Sequence, residues 1–442
     1  MKVRLICWIV ALATAGSARG EQPAPEAAMT KKNPVLVRQV EAGQRDVANA
    51  AWWGFDEKDA TPCLQAAIRS GVKKLIVPNL GKPWIVAATI HLVSDQEIEF
   101  EAGVVVVAMQ GKFLDRTSPL FLAADKRNLT LRGEGAAFRM HKEDYSRPPY
   151  EKAEWRHTLS LVGCTNVKVF GLTLRDSGGD GIYLGTTKSQ NYCRDIHIQG
   201  VTCDNHHRQG ISVISAMDLL IENCRLLNTG GTPPAAGIDL EPNAPEERLV
   251  NCLVRGCVAE NNAGGGFFVY LKPLSSLSPD VSVRFEDCVV RGSGGFGLGV
   301  GAVKGDGPGG TIEFANMTVE GTDGPGAYVY DKSAERTRVR FVRCTWKNVA
   351  RKQGHPVELY LRRPQLTTTL GGVDFDDCTI IDDRDRPFLA AAEKESDFGV
   401  TDIKGSVHVD SPAGSRVDLG PKPTDVELKV TYTADAPEQE KE

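Results

Sequence analysis

Long apolar runs are almost missing from this chain. After residue 20 no stretch stays apolar for the ~20 residues that a bilayer-spanning helix needs, so no membrane span is expected. Basic clusters are missing as well. The 52 Lys and Arg residues are interspersed with 57 Asp and Glu, leaving a formal charge of −5. That balance argues against nucleic acid as the main partner and describes an ordinary solvated surface. No Cys-x-x-Cys pair occurs, so a zinc site is unsupported and no metal ligand set is expected. Aromatic residues are few at 7%, whereas glycine supplies 45 of the 442 residues. Many tight turns joining short strands would give this balance.

The one sustained apolar run lies at the start. Lys2 and Arg4 precede "LICWIVALATAG", and small residues follow through Ala18-Arg19-Gly20. The run is too short to span a bilayer and has the charge order of a cleavable secretory signal. Residues 1–20 are therefore expected to direct the chain to a secreted or periplasmic location. Residues 21–54 read as a lead-in, and "ADAPEQEKE" at 434–442 as a polar disordered tail.

Between these segments one pattern returns: apolar-x-apolar-x-x-apolar-x-apolar. It reads "VKVFGLTL" at Val167, "IHIQGVTC" at Ile196, "LLIENCRL" at Leu219 and "CLVRGCVA" at Cys252. It continues as "VRFEDCVV" at Val283, "IEFANMTV" at Ile312, "VRFVRCTW" at Val339 and "VDFDDCTI" at Val373. Its sixth position holds Leu172, Val201, Cys224, Cys257, Cys288, Met317, Cys344 and Cys378, in steps of 23 to 34 residues. A second short strand sits between copies, as in "GIYLG" at Gly181, "GISVI" at Gly210, "GIDLE" at Gly237 and "GFFVY" at Gly266. Each copy is too short to bury its own apolar face, so the copies must stack. Period-two strands with no intervening helix predict a parallel β-solenoid, each strand pairing with its equivalent one coil away, ~4.8 Å distant. Five cysteines then share one inward column, where they act as small apolar residues rather than disulfide partners.

With these repeats the chain resembles right-handed parallel β-helix proteins of the pectate-lyase-like superfamily. The block "DEKDATPCLQAAIRSGVKKLIVPNLGKPWIV" strengthens the resemblance. Asp59 or Thr61 can cap a short helix that buries Leu64, Ala67 and Ile68, with "KKLIVP" opening the first strand. In this superfamily such a helix commonly covers the N-terminal end of the solenoid. The expected fold is thus all-β: a single-stranded right-handed parallel β-helix over residues 55–433 with an N-terminal capping helix. The clearest repeats fill 159–382, and a closing segment fills 383–433. The resemblance is to a fold that carries hydrolases, lyases, epimerases and adhesins. The Asn-Thr-Asp and Gly-His-Gly motifs of polygalacturonases are not present as such.

Function is sought on the outward face. In "GIDLE", Ile238 and Leu240 point inward, so Asp239 and Glu241 share the outer side, their Cβ atoms ~6.5–7 Å apart. Ser212 and Ile214 face them one coil earlier, and Tyr183 and Gly185 one coil before that. Phe268 and Tyr270 follow one coil later. Beyond these, Gly299 and Gly301 read as a gap before Tyr328 and Tyr330. Carboxylates beside aromatics suit a sugar chain, and the spacing suits an inverting glycosidase pair, for which ~6.5–9.5 Å leaves room for a water. Glu241, nearer Tyr270, is expected to be the desolvated general acid and Asp239 the base. The entering turns add Asp176, Asp180, His206, His207, Arg208 and Gln209, and "EKAEWRHTL" adds Glu154, Trp155, Arg156 and His157. Catalytic candidates are Asp239, Glu241, Asp180, His207 and Arg208. Substrate-binding candidates are Tyr183, Phe268, Tyr270, Lys272, Arg156, His157 and Gln209. Asp176 and Asp180 also fit as turn caps, Trp155 equally as core, and only one of the two histidines can face the cleft. Asn205, Asn228, Asn261 and Asn262 read as a hydrogen-bonded ladder at the coil corners.

Three functions fit. The first is a glycoside hydrolase without a cofactor, acting on a polysaccharide or oligosaccharide. The second is a lyase or epimerase of uronic acids, for which Arg208, Lys272, His207 or a bound calcium would neutralise the carboxylate. The third is a non-catalytic glycan-binding surface protein.

Overall fold

Strands of three to seven residues that turn one apolar side inward can bury that side only against copies of themselves. The computed structural model, which describes residues 31–393, 398–420 and 423–433, shows this stacking. The segments at 1–20 and 434–442 lie outside the described residues. Every registered strand pair is parallel, in one sheet of twelve strands and one of twenty-four that forms the remaining walls. Val167, Ile196, Leu219, Cys252, Val283, Ile312, Val339 and Val373 are partners on successive coils, as the repeat predicts. The fold is a right-handed parallel β-helix.

The interior is built of columns. Phe285, Phe314, Phe341 and Phe375 stack with centroids 5.0, 5.4 and 5.5 Å apart. Cys224, Cys257, Cys288, Cys344 and Cys378 form the thiol column, and the Cys257 amide donates to Cys288 Sγ at 3.3 Å. All ten cysteines among the described residues are free and buried, and burial pushes the Cys193 and Cys252 thiols up to about 12. At the corners Asn205, Asn228 and Asn261 take left-handed backbone, which asparagine tolerates. Asn205 donates to Asp176 at 2.7 Å and Asn228 to Asp204 at 2.8 Å. Asn262 is instead buried and donates to the Leu226 carbonyl.

The ends of the solenoid are built as follows from their residues. Helix α1 (Pro34–Glu41) and strand Val47–Asn49 lie in the segment read as lead-in, and that strand already pairs with Lys74–Val77. Helix α2 (Thr61–Arg69) buries Leu64, Ala67 and Ile68 in the common core, and Asp59 Oδ1 accepts from the Thr61 amide at 2.9 Å. At the other end, the described strands Leu389–Glu393, Gly399–Asp410 and Pro423–Tyr432 continue the coils. Val373 aligns with Ile403 and then with Val426. The final strand, Pro423–Tyr432, is mostly exposed.

The twelve-stranded sheet carries the outward residues of interest. Its relevant strands are β1 (Leu159–Val162), β2 (Ile182–Gly185), β3 (Ile211–Val213), β4 (Ile238–Leu240), β5 (Phe267–Tyr270), β6 (Leu298–Val303), β7 (Ala327–Lys332) and β8 (Val357–Leu361). Register aligns Ser160, Tyr183, Ser212, Asp239, Phe268, Gly299, Tyr328 and Glu358 in one column.

Candidate functional site

The alternation places Asp239 outward on β4, yet its exposure is 0%. It lies in a cluster drawn from β4, from β3 and the turn that enters it, and from the segment before β1. Gln209, just before β3, donates Nε2–H to Asp239 Oδ2 at 2.9 Å, while its own Oε1 accepts from the Ala236 amide at 2.8 Å. Arg208 reaches from the same turn to pair with Glu241, and donates to Ser212 Oγ at 3.3 Å. Its Nε stands 3.8 Å from Glu154. The second oxygen of Asp239 is buried without a protein donor. Burial, then the negative charge of Glu241, raises Asp239 well above the carboxylate range, and Arg208 offsets only part of this. Burial falls on Asp239, whereas the Glu241 side chain keeps 17% of its surface exposed, the reverse of the expected assignment.

Upstream, Asp180 is also fully buried, and both its carboxylate oxygens lack a hydrogen-bond donor. Its amide donates to His157 Nδ1 at 3.0 Å, and Oδ2 lies 3.2 Å from the same nitrogen. The His157 ring stacks on Tyr183 at 4.5 Å and 5°, and burial pushes the Tyr183 hydroxyl up to about 12. Asp180 is next to Arg208 electrostatically and opposes loss of its charge.

Other candidates stand elsewhere. Arg156 is buried and donates to the carbonyls of Phe113, Leu114 and Glu151, with its guanidinium over Tyr145 and Tyr150. It fastens the covering loops and does not line a cleft. His206 is interior, bonded to Ser177 and lowered by burial to about 3. His207 is half-buried, its Nε2 at 3.1 Å from Thr232 Oγ1, and burial lowers it too. Asp176 serves the corner ladder. Lys272 is exposed, and Trp155 sits at the surface under Arg116.

The downstream face is a sheet of rings. Phe268, 5% exposed, packs against Phe296, Tyr270 and Tyr330, and the contacts continue through Tyr328 to Tyr360. The expected glycine gap is filled. A side chain on Gly299 would strike Phe296 and Phe268, and one on Gly301 would strike the Tyr330 ring. Ile214, also read as outward, is 3% exposed. Two hollows border the rings. One of about 500 Å³ is lined by Tyr270, Tyr330, Tyr360, Arg362 and Arg363. The other, about 420 Å³, is lined in part by Phe296, Tyr328, Gln353, Glu358 and Tyr360. Burial raises Glu358 above the ordinary carboxylate range. Sequence reasoning missed Phe296, Glu358, Tyr360, Arg362 and Arg363; extending the outward column by one coil beyond Tyr328 would have found Glu358 and Tyr360.

Known proteins resemble this chain in the same terms. The family described as right handed beta helix region matches residues 153–302 and 191–380, together just over half of the chain. The uncharacterized protein YclG of Bacillus subtilis (strain 168) is 24% identical over 223 residues, which span 44% of this chain and 38% of that protein. A tailspike double mutant of E. coli bacteriophage HK620, in complex with a pentasaccharide, superposes with a TM-score of 0.58 at 12% identity, covering 89% of this chain and 77% of that one. The catalytic unit of a GH87 α-1,3-glucanase from Streptomyces thermodiastaticus gives 0.57 at 11%, covering 88% and 69%. The A-module of the mannuronan C-5 epimerase AlgE4 from Azotobacter vinelandii gives 0.52 at 11%, covering 88% and 100%. At such identities the structural likeness speaks for the fold. With its coil register, inward columns and family match in agreement, the chain belongs to the right-handed β-helix family.

Proposed function

We propose that this protein is an exported, polysaccharide-active enzyme that hydrolyses glycosidic bonds. In this reading the Asp239–Glu241 pair holds the proton for the leaving oxygen and Asp180 acts as the base. The observation that carries it is Asp239: a carboxyl buried completely, fixed by Gln209 and raised by its neighbour is suited to remain protonated near neutrality, as a general acid must. Asp180 lies two coils upstream, ahead of β2, at the level that Gln209 takes before β3. Arg208 pairs with Glu241 at the rim, while the rings beyond offer faces on which sugars stack. The glycan-related descriptions of the tailspike, the glucanase and the epimerase agree with a carbohydrate substrate.

The test is a polysaccharide panel read for new reducing ends and for ultraviolet-absorbing unsaturated products. Reducing ends alone are expected, with Asp180→Asn, Asp239→Asn and Glu241→Gln each lowering turnover by ~10²–10⁴-fold. Unsaturated product would replace the hydrolase with a lyase. Binding without any product would leave a glycan platform, and full activity in all three variants would remove the acids from the chemistry.

A further inference from the structure

The hollow beside the rings carries charge as well as aromatic surface. Tyr270, Gly301, Tyr330 and Tyr360 are register partners on β5 to β8. The missing side chain at Gly301 lets the Tyr330 ring lie down toward Tyr270. Asp331, 0% exposed, accepts the amides of Arg362 and Arg363 at 2.6 and 2.8 Å and pairs with Arg363 Nε at 2.7 Å. Arg363 Nη1 donates to the Tyr270 hydroxyl at 3.0 Å, and its guanidinium lies between Tyr270 and Tyr330, 5.7 and 6.0 Å from their centroids. Arg362 is exposed, with its guanidinium 5.3 Å over Tyr330. Among the described residues it makes no ion pair. Two guanidinium groups thus converge where, among the described residues, Asp331 is the carboxylate that pairs with them, in a chain whose formal charge is −5.

We infer that this hollow is a subsite for an oxyanion-bearing sugar, one carrying a carboxylate or a sulfate, held next to the acidic centre. The inference rests on the glycan reading of the same face. A planar guanidinium fork recognises such groups through paired charge-assisted hydrogen bonds, and the tyrosine faces bind the ring that bears them. Asp331 and Tyr270 hold Arg363 in place before any ligand arrives, which lowers the ordering entropy lost on binding. Tyr270 follows Glu241 by one coil and Tyr360 lies three coils beyond Tyr270. A glycan running along the face would therefore place its charged residue in the hollow while a neighbouring linkage meets the acids.

Binding is the readout, measured calorimetrically on the full chain carrying Asp239→Asn so that turnover does not intervene. The probes are oligogalacturonate (carboxylated), dextran sulfate (sulfated) and dextran (neutral). At least one anionic probe should bind more tightly than dextran and weaken as salt is raised. Arg362→Ala, at an exposed position, should weaken that binding by roughly tenfold or more and leave dextran unchanged. Arg363→Lys keeps the charge but loses the fork, and should weaken it as well. Which anionic probe responds identifies the group. Equal binding of all three probes, or anionic binding indifferent to Arg362→Ala, overturns the subsite. These results are independent of whether Asp239→Asn abolishes hydrolysis, so failure of the subsite and failure of the catalytic reading are read separately.

Discussion

A protonated aspartate and an asparagine have the same shape. At position 239 the amide oxygen of asparagine can accept from Gln209, and its nitrogen can donate toward Glu241, reproducing the pattern of the protonated acid. Asp239 is raised in the folded state, so the stability it contributes is fully present below its unfolded value, ~3.9, and is lost as pH rises through the folded value. Asp239→Asn should abolish that dependence. Its melting temperature at pH 8 should be no lower than that of the parent, while turnover falls. A variant clearly less stable at pH 8 would show that the parent holds an ionised, well-satisfied carboxylate there.

Phe268 makes a second residue-level case. Its outward position suggested a substrate-binding platform. Covered by Phe296 and Tyr330, it should instead behave as a core residue, and Phe268→Ala should cost about 3 kcal/mol in denaturant unfolding. Alternation along a strand revealed which side each residue takes, because that depends only on parity. It could not reveal what lies over that side. The cover over Asp239 comes from Arg208 and Gln209, and that over Phe268 from Phe296, and such reach is not encoded in local period. Arg156 was misplaced for the same reason: its three carbonyl partners are 5 to 43 residues away.

Among the elements, the repeated strand pairs between residues 165 and 381 were legible because every coil restates the same apolar spacing. The later coils were not. Between Phe375 and Cys378 the pairing with the next strand shifts, so Ile403 and Val407 span one residue fewer than Val373 and Cys378. Gly405, with φ +119, stands where the earlier coil has Phe375. A pattern search that demands the full spacing stops there, although the backbone continues. The inward columns give the element-level prediction. Cys288→Ser, which puts a hydroxyl in a thiol's fully buried place, should destabilise by ~1–3 kcal/mol. Phe314→Ala, which breaks the phenylalanine stack between Phe285 and Phe341, should destabilise by ~3–5 kcal/mol. A neutral effect at either position would contradict the column.

Across the whole molecule, the site exists only because consecutive coils are held in register. Asp180, Arg208, Asp239 and Tyr270 are about thirty residues apart in sequence and adjacent in space, so no fragment shorter than several coils can present them together.

The ten buried thiols have a consequence that concerns time rather than structure. In the folded chain all ten are shielded from solvent, and burial holds Cys193 and Cys252 far from the thiolate form that attacks disulfides and oxidants. Once the coils open, all ten are released into a flexible chain where any pair can meet. Refolding then competes with oxidation, and each wrong bond locks two coils out of register. Heated without reductant, the protein should lose its ability to recover in proportion to the time spent unfolded. With reductant present, or with the thiols reversibly blocked only while unfolded, recovery should be largely restored. The fold protects its cysteines only while it stays folded, so its working lifetime in an oxidising medium is set by how rarely it opens.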